Sequence, residues 1–163
     1  MKDEGVVFKE SLFILIMKYH GKAGLPGQAT RLLLDMWGIY SCDPTFKSYN
    51  VVLEVLVDGN YPRVAPNVFY DMLSRGVSPT VHTFGVVMKA LCMVNEVDSA
   101  SSLLRDMAKH GCDMFRCALS TDVRTFNDVI YGLCEASRIH EAVKLLDRML
   151  LRGFSADARL MDI

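Results

Sequence analysis

A chain of 163 residues, 51% of them hydrophobic, is long enough for one domain with a sizeable core. No apolar run approaches the roughly 20 residues that cross a bilayer, which excludes a membrane-spanning helix. A net charge of −1 and a pI near 6.4 give no general attraction to nucleic acid.

The lead, Met1-Lys2-Asp3-Glu4-Gly5, is acidic and matches neither a signal peptide nor an Arg-rich transit peptide. Amphipathic helical patterns follow in pairs. The first pair covers about 9–40, with Phe13, Ile16 and Met17 on one stripe and Ala29, Leu32, Leu33 and Met36 on the other. Gly21, Gly24 and Gly27 are expected in the break between them, because glycine inside a helix costs about 1 kcal/mol relative to alanine. Pro44 then blocks continuation and Thr45 can cap the next helix.

The second pair, about 46–75, carries Phe46, Tyr49, Val52, Leu53 and Leu56, then Ala65, Val68, Phe69 and Met72. Pro62 fits a helix start, and Pro66 one turn later predicts a late start or a bend. The third pair, about 81–110, repeats the pattern with Val81, Phe84, Val87, Met88 and Leu91, then Val97, Ala100, Leu103, Leu104 and Met107. A surplus over 112–122 breaks the regularity. The fourth pair, about 123–152, has Val123, Phe126, Val129, Ile130 and Leu133, then Ile139, Ala142, Leu145, Leu146 and Met149. Gly153 sits where a helix ends in a left-handed residue.

Two markers share one phase. Ala29, Ala65, Ala100 and Ala142 stand 36, 35 and 42 residues apart, and so do Met36, Met72, Met107 and Met149. A helical pair of this size cannot bury its stripe alone, whereas stacked pairs can. The expected fold is all-α, an α-solenoid of about four antiparallel pairs, with unburied stripes at the ends of the stack.

Chemistry is sparse. The five cysteines form no C-x-x-C and no paired Cys/His zinc pattern, so no metal or cofactor is expected. Cys92 and Cys134 hold one repeat position beside an apolar Leu and read as core filler; Cys112 and Cys117 fall in the irregular junction. There is no Gly-rich phosphate loop, and His20, His82, His110 and His140 share no helical face with paired carboxylates, so the chain is not expected to be an enzyme.

The period, the Tyr49-Asn50 and Phe126-Asn127 openings, Gly132-Leu133-Cys134, Glu141-Ala142 and Ser78-Pro79-Thr80 resemble the pentatricopeptide repeat, in its plain P-type form from plant organelle proteins. The tetratricopeptide repeat, with a period of 34 and a Trp in its first helix, fits less well: Trp37 lies at the end of a second helix. The resemblance implies repeats over about 10–45, 46–80, 81–115 and 123–157, an insertion over about 112–122 and a truncated fifth repeat over 158–163, all in one domain.

The resemblance also implies single-stranded RNA as partner, one base per repeat, read by the fifth and last residues. These are Ile14 with Thr45, Asn50 with Thr80, Gly85 with Asp122 or Phe115, and Asn127 with Asp157. The second residues, Ser11, Lys47, His82 and Arg124, would flank the base. The candidate RNA-binding residues are therefore Asn50, Thr80, Asn127, Asp157, Lys47 and Arg124. Asn127 with Asp157 resembles the uracil-preferring pair and Asn50 with Thr80 is pyrimidine-leaning. Ile14 and Gly85 depart from the code. Independently of the resemblance, Thr45, Thr80 and Asp122 precede helical patterns and suit caps, and Lys47 and Arg124 suit solvated charges.

The function implied is sequence-specific RNA binding in a plant organelle, the mitochondrion or alternatively the chloroplast, supporting RNA processing, stability or translation. A basic stripe through Lys18, Lys22, Lys47, Lys89 and Arg124 favours it; an apolar, neutral face favours a protein-interaction scaffold instead. The acidic lead, the break after Gly111 and the stop inside a fifth unit also accommodate a truncated, non-functional remnant.

Overall fold

The computed structural model describes residues 8–107, 109, 123–135, 137–151, 153 and 155, for 123–125 the backbone only. The 112–122 insertion, Asp122, Asp157, the 158–163 segment and both junction cysteines lie outside the described residues. Within them the regular elements are helical: α1 (Glu10–Lys22), α2 (Pro26–Gly38), α3 (Phe46–Asp58), α4 (Ala65–Ser74), α5 (Val81–Met93), α6 (Val97–Met107), α7 (Val123–Glu135) and α8 (Ile139–Leu151).

The first helices form a continuous layer. α1 packs on α3, α3 on α5 and α5 on α7, while each also packs on its own partner helix; α2 and α4 lean on the first helix of the next pair. The expected stripes make the core. Met17, Ala29, Met36, Val52, Leu53, Ala65, Met72, Phe84, Met88, Phe126 and Met149 have no exposed surface. The recurring alanine lets the two helices of a pair approach, and methionine fills the space behind it. Buried Tyr49 of α3 donates its hydroxyl to Asp71 Oδ2 of α4 at 2.8 Å. Burial, followed by that carboxylate, pushes its phenol well above the ordinary tyrosine range. Arg75, just past α4, lies 5.3 Å over the Trp37 ring of α2, so a cation–π contact links two second helices.

The turn inside each pair repeats one backbone device. Gly24, Asn60, Asn95 and Ser137 have φ of 69°, 65°, 62° and 60°. The next residue's N–H reaches back to a carbonyl five residues earlier: Leu25 to His20, Tyr61 to Leu56, Glu96 to Leu91 and Arg138 to Leu133, at 2.7–2.9 Å. This is the Schellman closure, which satisfies helix-end carbonyls through a left-handed residue. Gly76 and Gly153, with φ of 72° and 81°, take the same conformation after second helices.

Two glycines expected in the first break are helical instead. Gly21 lies in α1 and Gly27 in α2. Packing explains Gly21, since a β-carbon there would stand 2.6 Å from Val55 Cγ2 of α3. The corresponding approach of α7 to α5 sets Gly132 on Cys92, where a β-carbon would collide with the cysteine's Cβ and Sγ. Burial there pushes the Cys92 thiol up to about 11. Pro62 opens a single 3₁₀ turn (Pro62–Val64) rather than the α-helix, and α4 begins late, at Ala65. Pro66 is then the second residue of α4, where its missing N–H needs no partner.

The free side of α1 is apolar. Leu12, Leu15 and Tyr19 are 43%, 51% and 62% exposed, whereas their counterparts in α5, Thr83, Val86 and Ala90, are buried or half-buried under α3.

Candidate functional site

The sequence-selected polar residues gather along the starts of the first helices. Thr45 precedes α3 and its hydroxyl accepts the N–H of Lys47 at 3.2 Å. Thr80 precedes α5 and accepts the N–H of Thr83 at 3.2 Å, while the Thr83 hydroxyl accepts the N–H of Thr80 at 2.9 Å. This is a reciprocal capping box with threonine in the place usually taken by glutamate. The capping reading of both threonines is therefore correct.

Capping does not exhaust Thr80. The fold sets it against Asn50, 30 residues earlier, with Asn50 Nδ2 at 3.4 Å from Thr80 Oγ1. The Asn50 Oδ1 accepts the Thr83 hydroxyl at 2.6 Å. Asn50 and Thr80 are half-buried, Lys47 is exposed, and Thr83 is fully buried. At the start of α5 the fold thus sets the Asn50 amide on a scaffold of two hydroxyls.

The junction between the first and second pairs uses the same two hydroxyl positions for a different group. Glu10 Oε1 accepts the Thr45 N–H and hydroxyl, both at 2.8 Å, and the Ser48 hydroxyl at 2.7 Å. A carboxylate occupies the niche that the Asn50 amide fills one pair later. Ile14 of the same helix adds no polar atom.

Asn127, in the first turns of α7, is half-buried, and among the described residues its Oδ1 is buried without a hydrogen-bond partner. Its expected companion Asp157 and the side chain of Arg124 lie outside the described residues.

The charge along this face is mixed. Lys18 and Lys22 line a groove of ≈ 560 Å³ between α1 and α3, with Glu54 and Asp58 on the opposite wall. His82 Nε2 lies 2.5 Å from Glu54 Oε1, and Lys89 Nζ lies 3.8 Å from Asp128 Oδ2. The expected basic stripe is thus broken by acids on α3 and α7.

Glu10, Glu54 and Thr83 were not singled out by sequence. Ser48, Thr83 and Thr125 do recur in the phase of the repeat, two residues past each helix start, and that recurrence was the available signal. Glu10 and Glu54 act across unit boundaries and left no such trace.

Family models described as PPR repeats match residues 44–93, 82–112 and 119–150. A mitochondrial pentatricopeptide repeat-containing protein of Arabidopsis thaliana is 71% identical over 79 residues, 48% of this chain and 11% of that protein. A second Arabidopsis thaliana protein of that kind is 34% identical over 114 residues, 69% of this chain and 24% of its own length. The chain therefore spans at most about a quarter of these relatives. The maize pentatricopeptide repeat protein PPR10 superposes with a TM-score of 0.66 at 26% identity, covering 96% of this chain and 21% of that one. PPR10 in complex with an 18-nt RNA element gives 0.69 at 25% identity, over 90% and 20%.

Proposed function

The chain belongs to the pentatricopeptide repeat family, and from that premise we propose that it binds single-stranded RNA, with Asn50 and Asn127 meeting bases. The observation that carries this reading is the meeting of Asn50 and Thr80, the fifth and last residues of one repeat, at 3.4 Å on a half-open edge. An amide there offers both a donor and an acceptor to a Watson–Crick edge. The Oδ1 of Asn127, buried and without a hydrogen-bond partner among the described residues, supports the same use in the fourth pair, for which Asp157 is the proposed companion. Lys47 and Arg124, the second residues of their repeats, are the proposed partners of the base face or the phosphate.

The first and third junctions act as spacers. Glu10 fills one with negative charge, and Gly85 brings no side chain to the other. Two reading positions and a mixed-charge face give weak, modestly selective binding to the isolated chain. The mitochondrial names of several relatives support that compartment, and the role we propose for the binding is RNA processing, stability or translation.

Fluorescence anisotropy with U-rich, C-rich and A-rich strands across a salt series tests this. A preference for U that Asn127→Ala reduces, with affinity falling as salt rises, supports it. Folded protein that binds no strand at low salt refutes it. That result would favour the scaffold reading, in which the concave face holds a peptide or helix.

A further inference from the structure

The third and fourth pairs are joined differently from the others. At the first two junctions a second helix packs on the first helix of the next pair, α2 on α3 and α4 on α5. Phe69 of α4 meets Phe84 of α5 edge-on, with ring centres 5.5 Å apart. Among the described residues α6 makes no comparable packing on α7. Burial reports the same gap. Leu104 of α6 is half-buried, whereas Leu33 and Phe69, which hold its repeat position in α2 and α4, are buried.

A polar strap between α6 and α8 spans that side instead. The hydroxyl of Ser101, buried on α6, donates to Glu141 Oε2 of α8 at 2.9 Å. Arg138, just before α8, donates from Nε to Glu141 Oε1 at 2.8 Å and from Nη1 to Asp98 Oδ1 of α6. Arg138, followed by Ser101, holds the Glu141 carboxyl below its ordinary value. The Asp98 side chain is 96% exposed. An ion pair so open to water contributes little, and salt screens it.

The first-helix side of the same junction is tight and apolar. Gly132 of α7 sits on Cys92 of α5, with no room for a β-carbon between them. Salt weakens the attraction across the strap and not the apolar contact opposite it. We propose that this junction is a salt-sensitive hinge: α7 pivots on α5 at Gly132 and Cys92, and the strap from Asp98 and Ser101 to Arg138 and Glu141 is the latch that closes α8 onto α6. Opening tilts the fourth pair as a body and leaves its helices intact. The hinge belongs to the helices themselves and does not depend on RNA.

Pulsed EPR distances in the full chain test this. Spin labels are carried by ketone-bearing residues placed at Ser99 of α6 and His140 of α8, both exposed. Labels at Gln28 of α2 and Asn67 of α4, also exposed, are the control across the first junction. Raising sodium chloride to about 1 M, where the Debye length is about 3 Å, adds a longer distance to the first label pair and leaves the control unchanged. The ratio of long to short populations rises about fivefold, the upper end for one exposed ion pair. Asp98→Asn, at a side chain that nothing buries, gives the longer distance already at low salt.

A Ser99–His140 distance that ignores either salt or Asp98→Asn overturns the latch. Equal lengthening of the control pair overturns it too, because the whole stack then loosens. Thiol labelling read peptide by peptide checks the pivot, and Cys92 labels as slowly at high salt as at low. A Cys92 that turns reactive as the longer distance appears means that the fourth pair leaves α5, which overturns the hinge.

Discussion

The Oε1 of Glu10 lies 2.8 Å from the backbone nitrogen of Thr45, across 35 residues of chain. It also takes the hydroxyls of Thr45 and Ser48. A capping box ordinarily draws its carboxylate from the third residue of the same helix. Here the third residue of α3 is Ser48, and the preceding repeat supplies the carboxylate. One side chain thus caps α3 and fixes the first pair onto the second.

Burial works to raise the Glu10 pKa, but the Thr45 N–H and the Ser48 and Thr45 hydroxyls overrule it, and the carboxyl titrates below its ordinary value. A depressed carboxylate stabilises the fold above the unfolded-state pKa, about 4.3 for glutamate, and loses that contribution as pH falls through the folded value. Glu10→Gln should cost about 1 kcal/mol at pH 7, with the half-open setting discounted. Urea melts should show the gap to wild type narrowing as pH falls below the unfolded-state value. A gap that stays constant with pH would mean that the charge contributes nothing.

Gly132 is the tightest point of the α5–α7 contact. Alanine would add about 1 kcal/mol of helix propensity. Its β-carbon would meet the Cβ and Sγ of Cys92, and that Cβ is fixed to a helix. Overpacking of this kind costs about 1–3 kcal/mol, so Gly132→Ala should be destabilising overall. Gly27 is the control: a β-carbon there meets nothing within 4 Å, and Gly27→Ala should stabilise by up to about 1 kcal/mol. Denaturant midpoints of the two variants should move in opposite directions. A shift in the same direction would mean that the two first helices can separate freely.

Ser137 holds the left-handed turn position that Gly24, Asn60 and Asn95 hold in the other pairs, at φ 60°. Glycine and asparagine tolerate that region and serine does so less well. Ser137 is exposed, so no packing opposes a change. Ser137→Gly should stabilise by about 1 kcal/mol, the low end for relieving a residue held in the left-handed region. Gly24→Ala, placing a β-carbon at φ 69°, should destabilise by a similar amount. Thermal melts decide both, and a stabilising Gly24→Ala would contradict the shared turn.

Sequence periodicity carried the fold because each stripe residue reports on its own helix. Ala29 and Met36 return in phase at Ala142 and Met149 and are all buried. Contacts between repeats were harder to see. Glu10 was not singled out, and Gly21 looked like turn filler, because the partners that explain them, Thr45 and Val55, lie 35 and 34 residues away. Asn50 was legible by register, but its contacts with Thr80 and Thr83 were not, because they cross from α3 to the start of α5 and no spacing rule encodes them.

The last prediction concerns the path of the nucleic-acid backbone. Asp58 is exposed at the end of α3, in the repeat position that holds Lys22 in α1. Both residues line the groove between those helices. If RNA phosphates run along the first-helix layer, an acid at that point repels them and Lys22 attracts them. Asp58→Lys should then raise affinity for a U-rich strand several-fold at low salt and steepen the dependence of log affinity on log salt by about 0.7 for each added phosphate contact on a single strand. Lys22→Ala should flatten the same slope. The base preference should hold in both variants, because phosphate contacts position the strand and carry no sequence information. An unchanged slope in both variants would place the backbone elsewhere and leave the Lys22–Asp58 groove outside the RNA path.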